Sequence, residues 1–225
     1  MGEAMSDWRD RFPADIQPYC NQFADLFKTA YMQLLWRNGP SGDPNEQISH
    51  AETTARELIA KYRHLGEGNP HNDHFYRCTD RVSSSGFYDG MDDEAHIPWA
   101  THTINLDETR TGPYSRTKHL WNGHIDDGGP RPYGWFEKAA YHFMGDFATN
   151  PEARIHVNCA AGASRAPSMA YFFVRATTKL PVLDAKATVY AANSVLNRNI
   201  SITYWQDAER ALRRLGLVDD AWFLG

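Results

Sequence analysis

Two side chains able to do chemistry stand six positions apart, Cys159 and Arg165, with Ala160-Ala161-Gly162-Ala163-Ser164 between them. An isolated cysteine thiol has a pKa of ~8.5; beside a guanidinium at a helix N-terminus it falls to about 3.5–7.5, and thiolate becomes the resting form. Arginine is always charged, and its planar fork matches two oxygens of a phosphate. A thiolate facing a phosphoryl group held by that fork is set for in-line attack and a phosphocysteine intermediate. Taken singly, the pair reads as a buried structural cysteine and a surface arginine. The surrounding elements decide between the two readings.

Those elements are legible on both sides. Ile155-His156-Val157-Asn158 is an apolar-rich run that predicts a buried strand, and Met169, Phe172, Phe173 and Ala176 recur at helical spacing. Strand, tight loop and helix together make an anion-binding arrangement, because loop N–H groups and the helix N-terminus converge on one spot. The small residues Ala160, Ala161, Gly162 and Ala163 let the backbone curl around a ligand, and Gly162 can take a positive φ without penalty.

Cys159-Ala-Ala-Gly162-Ala-Ser164-Arg165 resembles the signature loop of the cysteine-based dual-specificity phosphatases, within the protein tyrosine phosphatase superfamily. Two positions depart from the family's pattern. Asn158 stands where the family usually has histidine, and His156 is expected on the other side of the strand from the cysteine. Ala166 stands where the family usually has a hydroxyl thought to help the cysteine leave the phosphoenzyme, which bears on the second half-reaction; Ser164 is the candidate substitute. The resemblance extends over roughly residues 81–215, with Val82–Gly90 similar to the family's first hairpin region and Ala100–Glu108 similar to its next strand.

The chemistry also needs a general acid, since the leaving oxygen must take a proton as the P–O bond breaks. His124-Ile-Asp-Asp-Gly-Gly-Pro offers an aspartic acid on a loop stiffened by Gly128-Gly129-Pro130. Asp127, 32 residues before Cys159, lies in a pattern resembling the acid-bearing loop of several compact phosphatases. Asp126 is the alternative, and both could simply form the turn before the next helix.

Composition sets outer limits. The 225 residues can bury a core in one domain with an extension, and 42% are hydrophobic. Neither a signal-peptide core nor a membrane-length apolar run is visible, so no membrane partner is expected. A net charge of −5 provides no strong nucleic-acid signal. Three widely spaced cysteines, Cys20, Cys78 and Cys159, argue against a disulfide scaffold and for a reducing, cytoplasmic compartment.

In chain order, helices are predicted over Asp15–Trp36 and Ser49–His64, the second with Ser49 and Glu52 as a capping box. Residues 65–74 form a polar loop, whose His71, Asp73 and His74 lack a second cluster to complete a metal site. Cys78 reads as a small buried residue. A strand is expected over Trp99–Leu106, polar loop over 107–122, and a helix carrying Phe136, Ala140, Phe143 and Phe147, with Trp135 in the core. Helices over Leu183–Leu196 and Thr203–Leu215 follow, with Asn197 and Arg198 as candidates for bracing the signature loop.

The expected fold is α/β, protein tyrosine phosphatase-like: a central, mainly parallel sheet flanked by helices. Residues 1–74 would be an N-terminal helical extension packed on a catalytic domain over 75–225. The expected function is metal-independent, cofactor-free phosphomonoester hydrolysis. Cys159 is the nucleophile, Asp127 the acid, Arg165 and Ser164 complete the catalytic set, and Ala160, Ala161, Gly162, Ala163, Ser164 and Arg165 bind substrate or another oxyanion. Alanines in the loop, rather than basic residues, lean toward a phosphoprotein over an inositide, with nucleotide and RNA-end phosphates as further alternatives. A phosphate-binding pseudophosphatase is the rival from another class. A rhodanese-like sulfur transferase fits the upstream acid loop poorly.

Overall fold

The computed structural model describes residues 26, 29–34, 43–66, 76–86, 100–107, 119–122, 134–194 and 200–219. Strand β5 (Ile155–Cys159) sits between β2 (Val82–Gly86) and β3 (His102–Asn105), parallel to both. On one edge β1 (Tyr76–Arg77) pairs antiparallel with β2, and on the other β4 (His119–Asn122) runs parallel to β3. The five-stranded order is therefore β1-β2-β5-β3-β4, a mainly parallel sheet. Helices α1 (Pro44–Gly66), α2 (Trp135–Thr149), α3 (Arg165–Thr178), α4 (Val182–Ser194) and α5 (Trp205–Arg214) flank it. The α/β expectation holds.

Central parallel strands are covered on both faces and usually read as continuous apolar runs. Strand β2 does not, since its sequence is Val-Ser-Ser-Ser-Gly, yet all five residues are buried. Its hydroxyls are satisfied inside the sheet. Ser83 Oγ lies 3.0 Å from His156 Nδ1, and Ser85 Oγ 3.0 Å from His156 Nε2. A neutral imidazole has one donor and one acceptor nitrogen, and a hydroxyl can serve either. Burial therefore pushes the His156 pKa down to about 3.

This shift has a stability consequence with a definite sign. The folded pKa is depressed, so between pH ~6.5 and ~3 the unfolded chain binds a proton that the folded chain refuses. Stability from this group is intact above pH ~6.5 and falls by about 1.4 kcal/mol per pH unit below it. His156→Gln is expected to flatten the stability–pH curve between pH 6 and 4 by roughly 1 kcal/mol per unit in urea titrations. An unchanged slope would show that His156 is not the group responsible.

Helix α2 buries Trp135, Phe136, Ala139, Ala140, Phe143 and Phe147, the stripe expected from spacing. Phe136 lies 5.3 Å from Phe172, and Phe172 meets Phe173 edge-on at 5.2 Å, so α2 and α3 share an aromatic core. Arg81 ties the end of α2 to the start of β2. Its guanidinium donates to the carbonyls of Phe147 (2.8 Å), Asn150 (3.0 Å) and Ala153 (3.0 Å).

Three local expectations need correction. Helix α1 begins at Pro44, not Ser49. Asp43 is its cap, accepting the Asn45 N–H at 2.9 Å, with proline in the first helical position, where a missing N–H costs nothing. Ser49 and Glu52 lie within the helix, so no capping box forms there. Residues 107–122 are not loop throughout, because His119–Asn122 forms β4. A four-residue edge strand is too short to show an alternation, and its partner β3 determines it. The strand expected over Trp99–Leu106 is confined to His102–Asn105.

Of the N-terminal residues described, Leu26, Ala55 and Ile59 are buried in the main core, and Ala30 and Ala51 form a small second cluster. Tyr62 donates to Asp184 Oδ1 at 2.9 Å, and Lys186 reaches Thr29 Oγ1 at 2.8 Å while sitting 3.8 Å over the Trp205 ring. Among the described residues no helix is long and apolar enough to cross a membrane.

Candidate active site

The loop between Cys159 and Arg165 leaves β5 at its carboxyl end and enters α3 at its first residue. In open α/β sheets this is where ligands bind. Both end residues are nearly enclosed, Cys159 at 2% and Arg165 at 3% exposure, and Cys159 is a free thiol. Gly162 takes φ 65°, the left-handed conformation that glycine tolerates best, and turns the chain back toward the helix.

Gly86 makes room for this turn. It pairs with Cys159 across β2 and β5, and a Cβ at that position would lie 2.8 Å from both the carbonyl carbon and the oxygen of Ala161. The obstructing atoms are backbone, so the loop itself would have to shift. Gly86→Ala is expected to displace the loop and to destabilise the fold by about 1–3 kcal/mol. Thermal melting checks this, and a native melting temperature would show that the loop tolerates the shift.

Arg165 is anchored from the neighbouring strand. Its Nη1 donates to the Leu106 carbonyl at 3.0 Å, and the Leu106 N–H donates to the Asn158 carbonyl at 2.8 Å. Asn158 Nδ2 donates to Asn105 Oδ1 at 3.0 Å, which also accepts the Asp107 N–H at 3.0 Å. The amide of Asn158 thus ties β5 to the exit of β3. His156 faces Ser83 and Ser85 instead.

Ser164 is the N-cap residue of α3, but its side chain makes no capping bond. Its Oγ lies 3.0 Å from Thr203 Oγ1. That hydroxyl is therefore engaged away from the helix, and Ala166 supplies none. The first N–H groups of α3 have no acceptor within the helix and point toward the loop, the end of a helix at which anions bind.

The segment before α5 braces the loop. Ser201 N–H donates to the Ala163 carbonyl at 2.7 Å, and Tyr204 N–H to Ser168 Oγ at 3.2 Å. Sequence reasoning placed this brace at Asn197 and Arg198, which lie outside the described residues; Ser201 and Thr203 carry it among those described. Their one signal was position, in the segment that joins α4 to α5. Gly86 and Asn105 were missed as site-shaping residues because the register across three strands defines their role.

Asp126, Asp127 and His124 lie outside the described residues, as do Cys20, His71, Asp73 and His74. Trp135, which opens α2 just after the stretch expected to bear the acid, packs 6.1 Å from the Tyr204 ring and so ties that end of α2 to the brace. Cys78 is fully buried, and desolvation pushes its thiol up to about 12, as expected of an inert core cysteine. Among the described residues no group of three or more His, Cys, Asp or Glu could hold a metal ion.

No protein-family model matches the sequence, and none of the curated proteins compared with it matches. Solved structures do. The chain is similar to a mouse putative dual specificity phosphatase complexed with zinc tungstate, at 15% identity, covering 67% of this chain and 96% of that one with a TM-score of 0.52. It is similar also to human DUSP28, at 14% identity, covering 66% of this chain and 99% of that one with a TM-score of 0.51. The chain therefore has the fold of these dual-specificity phosphatase structures.

Proposed function

We propose that the protein is a metal-independent phosphomonoester hydrolase that works through a phosphocysteine. One observation carries this reading. Cys159 and Arg165 close the two ends of a single tight loop, at the carboxyl end of the central strand and the N-terminus of α3. In the proposed reaction the Cys159 sulfur attacks phosphorus and the P–O bond to the leaving group breaks. Asp127, or Asp126 in its place, gives its proton to the departing oxygen. Arg165 and the loop N–H groups hold the equatorial oxygens as charge builds. Water then attacks the phosphocysteine, its proton passes to the aspartate carboxylate, and the S–P bond breaks to release phosphate.

Residues 75–225 would form the catalytic unit, with 1–74 as its extension. A phosphoprotein is the favoured substrate, because Ala160, Ala161 and Ala163 bring no cationic side chains to the loop for a polyanionic headgroup. Free Cys78 and Cys159 suit a reducing, cytoplasmic compartment. One observation favours slow turnover, toward the pseudophosphatase reading: Ala166 has no hydroxyl and that of Ser164 faces Thr203.

The native chain should hydrolyse p-nitrophenyl phosphate with EDTA present. Binding of phosphate or vanadate without turnover would promote the binding module instead. The acid is assigned on phenyl phosphate, whose poor leaving group needs the proton. Asp127→Asn is expected to lose about 10²–10⁴-fold in kcat, and Asp126→Asn far less. The reverse order would transfer the role to Asp126.

A further inference from the structure

We infer that Thr203 is a positioning residue that keeps the Ser164 hydroxyl off the oxyanion site. The inference rests on the phosphatase reading of the 159–165 loop. A serine at a helix N-cap ordinarily turns its oxygen onto the N–H of the second or third helical residue. In α3 the third is Pro167, which has no N–H, so the second, Ala166, is the only such target. The Ala166 N–H is also one of the donors that a phosphoryl oxygen at this helix terminus would use. A capping Ser164 would therefore compete with the ligand from within the same chain.

The observed geometry removes the competitor. Ser164 makes no side-chain capping bond, and its Oγ lies 3.0 Å from Thr203 Oγ1. Thr203 in turn donates to Ser201 Oγ at 3.0 Å. A threonine hydroxyl has one proton, so Ser164 is the donor in its pair with Thr203. Backbone bonds hold the relay on both sides, from Ser201 N–H to the Ala163 carbonyl and from Tyr204 N–H to Ser168 Oγ. The loop thus has a serine at its cap position whose hydroxyl is turned to Thr203 and not onto the helix end.

A double-mutant cycle tests this. Thr203 is exposed, so Thr203→Val removes the hydroxyl with little risk to the fold, which thermal melting confirms. Phosphate affinity by calorimetry, with KM and kcat for p-nitrophenyl phosphate, is compared for the native chain, Thr203→Val, Thr203→Ser, Ser164→Ala and the Ser164→Ala/Thr203→Val pair. The expected result is about a fivefold weaker phosphate affinity and a similar rise in KM in Thr203→Val, with rescue in Thr203→Ser. In the Ser164→Ala background the same substitution should have no effect, because the competing hydroxyl is gone. An equal loss in both backgrounds would make Thr203 a plain structural brace and overturn the inference, as would no loss in either. A native chain that binds no phosphate would sink the phosphatase reading and this inference with it; a native chain that binds phosphate with a flat cycle would sink the inference alone.

Discussion

In the proposed reaction, Cys159→Ser is expected to reduce phosphomonoester hydrolysis by on the order of 10⁶ in kcat, the cost of removing the nucleophile from a pathway that runs through a covalent intermediate. A serine hydroxyl at this position has the right reach but the wrong chemistry. Neither near neighbour on its strand could serve as its base: His156 is turned onto Ser83 and Ser85 and held neutral, and Asn158 is tied to Asn105. The substitution adds no bulk, so phosphate binding at Arg165 and the loop N–H groups should survive. Loss of turnover with retained phosphate affinity separates a catalytic cysteine from a structural one. Residual hydrolysis within about tenfold of native would place the nucleophile elsewhere.

The largest expected effect on stability lies away from the loop, in the ion pair that locks α3 to α5. Arg175 and Glu209 are both fully buried. Arg175 Nε and Nη2 donate to the two carboxylate oxygens at 2.8 and 3.0 Å, Tyr171 OH donates to Oε1 at 2.6 Å, and Arg175 Nη1 reaches the Leu180 carbonyl. Burial, with the Glu209 charge beside it, raises the Tyr171 pKa well above the usual tyrosine value, so Tyr171 remains a donor. Removing the carboxylate leaves a guanidinium in the core without its counter-charge.

Glu209→Ala is therefore expected to cost about 3–5 kcal/mol, or roughly 6–20 °C in Tm for a chain of this size. Replacing the whole group by apolar residues of similar volume (Tyr171→Phe, Arg175→Met, Glu209→Leu) should cost much less than the single change. A triple variant less stable than Glu209→Ala would mean that the pair contributes net attraction beyond the penalty of an orphaned charge. Helix α3 carries Arg165 at its first residue, so softening its other end should also weaken phosphate binding in Glu209→Ala.

The stretch from Ile155 to Ala176 was legible in the sequence because all its determinants are local. An apolar run, four small residues and a helical stripe specify strand, loop and helix without reference to anything distant. The stripe Phe136–Ala140–Phe143–Phe147 and the burial of Cys78 and Trp135 were readable for the same reason. Helix α1 was misplaced at its start by a local signal of the wrong kind. Ser49 and Glu52 fit a capping box, yet Asp43-Pro44 lies one turn and more upstream, and the helix runs through from there.

What the sequence determined by itself is the signature loop with its flanking elements, and through the family resemblance the fold class. Tertiary structure decided everything that depends on register or on a distant partner. Ser83 and Ser85 make poor core residues until His156 lies opposite them, and β4 becomes a strand only because β3 offers an edge. Gly86 matters because Ala161 crosses it at backbone distance, and Thr203 because it meets Ser164 across 39 positions of chain. Such roles arise from pairings between remote segments, and neither partner carries a mark of the other in its own neighbourhood.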